Sequence, residues 1–335
     1  MNRFIAAIAA ATLGLVTTAA SLSARAEASE IKVAQQYGIG YLPLMLMEEG
    51  KLIEKHAKAA GIDLKVSWVK FAGGNVMNDA ILSGDLAFAS GGVAPLVTIW
   101  SRTKGSLDVK AVSAINSMPL YLNSRNPAVK TVKDFTDKDR IALPAVKSSI
   151  QAVTLQMAAE QAFGAGNFAK LDSLTVTRSH PDGQAALLGN TEINAHFSSP
   201  PFQYQQLRRP DIHTVLNSYD VLGGPATFNL VWTTQKFVTE NPKVYAAFVK
   251  ALEESIAQIN ANKRAAAEAY LRISKDKDSV DEILGMLNDP KIVFTLTPQN
   301  MMKYVDFMVK VGTIKVKPDS WKDMFFPNAQ SLAGS

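Results

Sequence analysis

The feature that most constrains the fold is a regular alternation of short apolar strands with helices. In the first part of the chain the pattern predicts, in order, a strand at 31–34, a helix at 42–60 interrupted near Gly50, a strand at 62–68, a helix at 75–83, a strand at 86–89, a helix at 93–100 and a strand at 109–115. This order is typical of a mixed or parallel sheet with helices on its faces.

The alternation starts again in the second part of the chain. There it predicts a strand at 140–143, a helix at 150–163, a strand at 174–177, a helix at 182–188 and strands at 193–197 and 212–216. Two α/β units in series are therefore expected, each a mixed sheet flanked by helices.

The last part of the chain is predicted to be mainly helical. Gly223-Gly224-Pro225 breaks the pattern, and one more strand is expected at 229–232. A long helix then begins at Asn241-Pro242, with an apolar stripe formed by Val244, Phe248, Leu252, Ile256 and Ile259. We expect this tail to pack around the first unit.

The N-terminal segment is typical of a signal peptide and not of a folded domain. Arg3 supplies a positive start, residues 4–20 are apolar, and Ala24-Arg25-Ala26 has the small-x-small spacing of a cleavage site. Cleavage after Ala26 is predicted, so the mature chain would begin at Glu27. A membrane anchor is the alternative, which the cleavage sequence disfavours.

Composition excludes several classes of function. The chain has no cysteine, which removes disulfides, thiolate metal sites and a lipid-modified cysteine anchor. Its 335 residues exceed the usual size of one domain. The formal net charge is +5, but Lys and Arg are scattered among acidic residues, so nucleic acid is not an expected partner.

Catalytic and cofactor motifs are absent from the sequence. It contains no Gly-x-Ser-x-Gly elbow, no phosphate-binding Gly-Lys-Ser/Thr loop and no paired histidines at metal spacing. The four histidines, at positions 56, 180, 196 and 213, are dispersed. We therefore expect no enzymatic activity, no cofactor and no metal.

Six stretches resemble the substrate-binding proteins of nitrate, sulfonate and taurine ABC importers, together with their pyrimidine-precursor and aromatic-acid relatives. Tyr41-Leu42-Pro43-Leu44 leads into the stretch at 48–55, the stretch at 78–88 reads Asn-Asp-Ala-Ile-Leu-Ser-Gly-Asp-Leu-Ala-Phe, and the tail matches around 294–298, 306–308 and 312–317. The resemblance covers nearly the whole mature chain.

This resemblance implies a two-lobed, periplasmic-binding-protein-like α/β fold with a helical C-terminal tail packed on the first lobe. Residues 27–116 plus 223–335 would form lobe 1, and residues 117–222 would form lobe 2. The ligand would lie in the interlobe cleft, at the carboxyl ends of the strands. The implied partners are a small-molecule solute and an inner-membrane ABC permease with a cytoplasmic ATPase. The protein itself is expected to be a periplasmic monomer without a lipid anchor.

The strand-to-helix junctions of lobe 1 supply the first candidate ligand-binding residues. Tyr37 and Tyr41 offer phenol rings and hydroxyls, and glycines let the backbone approach a solute. The glycine pairs that precede helices can expose N–H groups to an anion, although glycine pairs are also ordinary in turns. The candidates here are Tyr37, Gly38, Tyr41, Gly73, Gly74, Ser90, Gly91 and Gly92.

Lobe 2 and the return strand supply four more candidates: Ser148, Ser149, His196 and Asn229. The serine hydroxyls can either cap the helix or donate to an anion, and the matching junction contributes ligand contacts in the family. His196 ends a strand, where it can face the cleft or serve the core. Arg178 is a possible carboxylate clamp, with a surface arginine as its alternative.

A small organic anion is the ligand that these junctions favour. Helix starts and serines suit an anionic head, and the tyrosines suit a flat or apolar remainder. An alkanesulfonate such as taurine and an aromatic carboxylate both fit, whereas nitrate would leave the aromatic side chains without a role. The alternatives are a pyrimidine-precursor binding protein and a thiamine-pyrimidine synthase-like enzyme, whose cysteine-rich motif is missing here.

Overall fold

The computed structural model describes residues 26–335. Apart from Ala26, the predicted signal peptide lies outside the described residues. None of the helices within residues 26–335 combines the length and the apolar character needed to cross a membrane.

The strands are short and lie close to the positions that the alternating pattern predicts. They are β1 (Glu30–Gln35), β2 (Lys65–Lys70), β3 (Ala89–Gly92), β4 (Lys110–Ala114), β5 (Tyr121–Ser124), β6 (Ile141–Leu143), β7 (Thr175–Thr177), β8 (Ala195–Phe197), β9 (His213–Asn217) and β10 (Asn229–Thr233).

The helices fill the intervals between the strands and most of the C-terminal tail. They are α1 (Leu42–Glu49), α2 (Leu52–Ala59), α3 (Gly74–Ser83), α4 (Val93–Thr103), α5 (Ile150–Phe163), α6 (His180–Gly189), α7 (Phe202–Leu207), α8 (Ser218–Leu222), α9 (Gln235–Glu240), α10 (Pro242–Ala261), α11 (Lys263–Ser274), α12 (Val280–Asn288) and α13 (Met301–Lys310).

The sheet of lobe 1 has two hydrogen-bonded parts that meet side by side. One part is the parallel pair β1-β2, and the other has the order β3-β10-β4, with β10 antiparallel to both neighbours. The parts are joined where the Ala34 N–H donates to the Phe88 carbonyl (2.9 Å) and the Ala87 N–H donates to the Lys32 carbonyl (2.9 Å).

The sheet of lobe 2 has five strands in the order β7-β6-β8-β5-β9. Strand β6 is parallel to β7 and β8, whereas β5 is antiparallel to both β8 and β9. In each lobe the antiparallel strand is therefore the one that follows a crossing of the chain between lobes. The prediction that each lobe contains a mixed sheet is confirmed.

The division into residues 27–116 plus 223–335 and residues 117–222 stays a proposal. It assigns each of the two sheets to one lobe. The helical tail contacts lobe 1 through its longest helix: α10 packs on α1 and α2, and the Phe248 ring stacks on the Phe88 ring with 3.8 Å between centroids.

Two strands differ from the sequence prediction. The predicted strand at 86–89 is displaced to Ala89–Gly92, because Asn229 to Trp232 pair with Gly92 to Ala89 and extend the ladder over the glycines. Strand β5 was not predicted. Its Asn123 and Ser124 are buried through hydrogen bonds to the carbonyls of Gln203 and Asn194, so the segment lacks an apolar alternation.

Candidate functional site

A small cavity lies between the lobes at the carboxyl ends of the strands. Its volume is about 10 Å³, which is room for one water molecule. Lobe 1 lines it with Gln36, Tyr41, Gly74, Gly92, Pro95 and Phe228. Lobe 2 lines it with Pro144, Ser149, Ile150, Gln151 and His180. A solute larger than water therefore enters only if the lobes separate.

Four helices begin at this cavity. Helix α3 begins at Gly74, α4 follows Gly92, α5 follows Ser149 and α6 begins at His180. The first N–H groups of a helix have no partner within the helix and carry the positive end of its dipole. In α3 and α4 the residue before the helix is glycine, so no side chain caps these groups. The cavity therefore favours an anion although neither Lys nor Arg lines it.

Tyr41 is held at the cavity by a buried chain of amides whose direction the backbone determines. The Asn116 amide oxygen accepts from the Asn229 N–H (3.2 Å), and its nitrogen donates to the Gly40 carbonyl (2.6 Å) and to Asn229 Oδ1 (3.2 Å). Asn229 Nδ2 therefore donates to Tyr41 Oη, at 2.9 Å. Because the hydroxyl oxygen accepts from Asn229, its own proton is left to donate to a ligand. Burial raises the pKa of Tyr41 and keeps that proton on the ring oxygen.

The serines before α5 are occupied by local hydrogen bonds. The Ser149 hydroxyl accepts from the Ala152 N–H (3.2 Å) and donates to the Ala145 carbonyl (2.8 Å). The Ser148 hydroxyl donates to the Val146 carbonyl at 3.3 Å, and Ser148 does not line the cavity. Of the two sequence interpretations, the structure shows Ser149 in the capping role.

The glycine candidates serve close packing. A Cβ on Gly92 would lie 2.6 Å from Ile150 Cβ, and a Cβ on Gly91 would lie 2.9 Å from the Trp232 ring. A Cβ on Gly73 would approach the Pro144 carbonyl oxygen to 3.3 Å. Gly92 and Gly73 therefore let the lobes approach each other, and Gly91 makes room for the buried Trp232.

Three other lobe 1 candidates lie beside the cavity without lining it. Gly38 has φ 100°, and a Cβ there would meet the Pro200 carbonyl oxygen at 2.7 Å. The half-buried Tyr37 precedes this contact. The Ser90 hydroxyl donates to the Ala34 carbonyl at 2.7 Å, which joins β3 to β1. Thus Gly38 serves the contact between lobes, and Ser90 serves the sheet.

The two remaining candidates of lobe 2 do not reach the cavity, since one lies in the core and the other on the surface. His196 is fully buried and does not line the cavity. Its Nε2 lies 3.2 Å from Nδ1 of His180, which does line it. Arg178 pairs with Glu192 at the surface, with 2.8 Å between Nε and Oε1. The histidine that lines the cavity is therefore His180, and the possible clamp at Arg178 does not reach it.

Sequence reasoning missed His180, Gln151, Ile150 and Gln36. A signal was present for His180: Ser179 and Asp182 have the spacing of a capping box, with Pro181 in the first turn, directly after a strand. Gln151 and Ile150 follow the predicted cap Ser149. Gln36 follows the first strand, and its amide donates to the Ser90 carbonyl at 3.2 Å.

A larger depression of about 590 Å³ lies outside the cleft in lobe 1. It borders the beginning of β1, the end of α3 and helix α9. It is lined by lobe 1 residues alone and shares no lining residue with the interlobe cavity. Within residues 26–335, no group of three or more His, Asp or Glu could hold a metal ion.

Comparison with known proteins agrees with this geometry. A model of the NMT1-like family matches residues 24–274. A comparison with curated protein sequences found no match.

Among solved structures, the alkanesulfonate-binding protein from Xanthomonas axonopodis pv. citri, bound to MOPS, aligns with a TM-score of 0.64 and 16% identity, over 86% of this chain and 92% of that one. The periplasmic aliphatic sulphonate binding protein from Escherichia coli aligns with a TM-score of 0.63 and 17% identity, over 92% and 95%. The periplasmic nitrate-binding protein from Synechocystis PCC 6803 aligns with a TM-score of 0.59 and 14% identity, over 80% and 74%. The predicted fold class and the predicted resemblance are confirmed.

Proposed function

The chain belongs to the NMT1-like family, and we propose that it is a solute receptor of an ABC importer that binds a small organic anion between its lobes. Alkanesulfonates and aromatic carboxylates are the proposed ligand classes. The single observation that carries this proposal is the convergence of four helix starts on one interlobe cavity.

The groups at the cavity are suited to binding. Uncapped helix starts and the Tyr41 hydroxyl offer hydrogen-bond donors to an oxygen acceptor. The lining residues include no carboxylate, and the one lining serine is occupied by its capping bonds. A buried neutral imidazole and amides can hold a solute without changing it. These features support a receptor in preference to an enzyme.

Location and partners follow from the same proposal. The signal peptide predicted at residues 1–26 would export the chain, and without a cysteine no lipid would tether it. The mature receptor would then be a periplasmic monomer that delivers its solute to an inner-membrane permease with a cytoplasmic ATPase. Structural neighbours with sulfonate-binding names support a sulfonate ligand.

A thermal-shift screen of the refolded, ligand-stripped mature protein tests the proposal. Because a ligand that binds only the folded state stabilises it, a solute at 100 times its Kd should add about 2.7 kcal/mol and raise Tm by several degrees. The screen should include taurine, ethanesulfonate, benzoate, nitrate and pyrimidines, with calorimetry and recovery of intact solute as checks. A shift with pyrimidines alone would replace the anion with a pyrimidine precursor, and consumption of the solute would rule out a receptor.

A cluster of contacts between helix α7 and the tail should hold the lobes together. Arg208 forms two hydrogen bonds with Asp278, at 2.9 and 2.7 Å, and Gln205 Nε2 donates to the Asp276 carboxylate at 3.0 Å. The Asp278 side chain is only 5% exposed. We call Gln205, Arg208, Asp276 and Asp278 the latch.

Removing the latch should favour the open form. We expect Arg208→Ala to weaken binding of the anion found by the screen about 3- to 10-fold, mainly through faster dissociation, since half-exposed ion pairs contribute modestly. The control is Arg264→Ala, whose exposed partner Asp281 lies in the same tail. Stopped-flow measurement of the two dissociation rates checks this, and equal rates would contradict a role in closure.

A further inference from the structure

A chain of buried polar side chains runs from the sheet of lobe 2 to the cavity. It consists of Asn123, Gln206, His196, His180 and Gln151, and none of them is more than 5% exposed. Successive contacts measure 3.0, 2.8, 3.2 and 3.3 Å. We call these five residues the relay. Such a chain can transmit a hydrogen-bond direction, because each amide or neutral imidazole donates on one side and accepts on the other.

The backbone determines the direction at the deep end of the relay. Asn123 Nδ2 donates to the Gln203 carbonyl at 3.0 Å, and a carbonyl can only accept. The Asn123 nitrogen therefore also faces Gln206 Oε1, and the Thr214 hydroxyl donates to Asn123 Oδ1 at 2.9 Å. Gln206 must then present its Nε2 to His196 Nδ1. Reversing the relay would turn the Asn123 oxygen toward the Gln203 carbonyl, with two acceptors and no proton between them.

Because each of the two neutral histidines has a single N–H, the hydrogen-bond direction set at Asn123 extends through them toward the cavity. Burial lowers the pKa of His180 to about 3 and also lowers the pKa of His196, so each imidazole has one N–H. Because His196 Nδ1 accepts from Gln206, the proton of His196 is on Nε2 and is donated to His180 Nδ1. The proton of His180 is therefore on Nε2, the nitrogen nearest Gln151 and the cavity.

Gln151 completes the relay at the cavity wall. Its amide nitrogen, Nε2, lies 3.3 Å from His180 Nε2, and within residues 26–335 its side chain has no other hydrogen-bond partner. Since His180 Nε2 donates, the Gln151 oxygen must face it. A half-turn of the amide, which exchanges oxygen and nitrogen, satisfies this bond and directs the NH₂ group away from His180.

We propose that Gln151 donates its amide N–H to the ligand, with His180 as the positioning residue that fixes the amide, so that lobe 2 accepts only a head group with an oxygen acceptor. This inference rests on the proposed function. It adds a donor from lobe 2 to a cavity that the Tyr41 hydroxyl of lobe 1 also lines. A carboxylate or sulfonate can accept from both lobes at once, whereas an ammonium head would meet donors on both sides.

The direction of the relay is testable on the wild-type mature protein without a ligand. In a long-range ¹H–¹⁵N spectrum at pH 7.5, we expect both His180 and His196 to be Nε2–H tautomers. A Nδ1–H tautomer at His180 overturns the proposed direction.

Binding tests the contact with the ligand, with benzoate, ethanesulfonate and benzylamine as probes in calorimetry. We expect Gln151→Met to weaken binding of the anions about 10- to 100-fold, because a buried hydrogen bond to a charged oxygen is lost. The matched control on the same helix is Gln161→Met, whose exposed amide donates to the Val221 carbonyl at 3.0 Å, and it should bind like wild type.

The outcomes separate the two proposals. Unchanged anion binding in Gln151→Met, or benzylamine binding wild type as tightly as benzoate, overturns the role given to Gln151. If wild type binds neither anion, the anion ligand of the proposed function and the contact with Gln151 both fail, while Nε2–H tautomers would still establish the direction of the relay.

Discussion

Replacing Gly92 with valine should weaken ligand binding about 100-fold, because a side chain at this position prevents the lobes from closing. A Cβ on Gly92 would lie 2.6 Å from both Cβ and Cγ2 of Ile150, which begins α5 on the opposite lobe. These atoms are near the backbone and cannot move aside as the end of a flexible side chain can. The added volume therefore pushes α4 away from α5.

Calorimetry with the anion found by the screen measures this loss, and small-angle scattering should show a larger radius of gyration. Gly285→Ala is the matched control, since nothing lies within 4 Å of a Cβ there and its helix should tolerate alanine. Adding Ile150→Gly to Gly92→Val removes both contacting atoms of Ile150 and should restore part of the closure. Wild-type affinity in Gly92→Val would show that binding does not require this approach of the lobes.

Lowering the pH from 7 to 5 should cost about 2 kcal/mol of folding stability through His180, with a further loss through His196. Burial lowers the pKa of His180 to about 3, and burial together with the neighbouring His180 lowers that of His196. The unfolded chain takes up protons near pH 6.5, whereas the folded chain does not. Stability from this source is therefore complete above about pH 6.5 and is lost progressively as the pH falls toward 3.

Urea unfolding at half-unit intervals between pH 5 and 7.5 measures this dependence. The double variant His180→Gln, His196→Gln should be less stable at pH 7.5, because the relay loses hydrogen bonds, but its dependence on pH should be much flatter. The same substitution at His213, which is only partly buried on lobe 2, should retain the steep dependence. If the stability of the double variant depended on pH as steeply as that of wild type, other titratable groups would account for the effect.

Local patterns predicted most of the elements and some of the residues that line the candidate site. The predicted helices at 150–163 and 75–83 lie within one residue of α5 and α3. Tyr41 was found because it follows the first strand and precedes a helix. Strand β5 was missed because Asn123 and Ser124 are buried by hydrogen bonds to distant carbonyls. Polar residues at buried positions give no apolar alternation in the sequence.

The histidines show the limit of sequence reasoning most clearly. His196 lies near the end of a strand and was a candidate for the cleft, yet it lies in the core behind His180. His180 and His196 both lie near the carboxyl end of a strand, so the rule that strand ends face the cleft predicts the cleft for both. Only the packing of α6 against β8 determines which ring reaches the cavity and which supports it.

By itself the sequence determined most of the order of strands and helices, the two α/β units in series and the helix starts at the strand ends, because these depend on periodicity, caps and glycines within a few neighbouring residues. Only the tertiary structure decided that Gly92 meets Ile150, that Asn229 orients Tyr41 and that Asn123 sets the direction of the relay. These contacts join residues far apart in the chain, and their geometry exists only after both sheets have formed and the lobes have met.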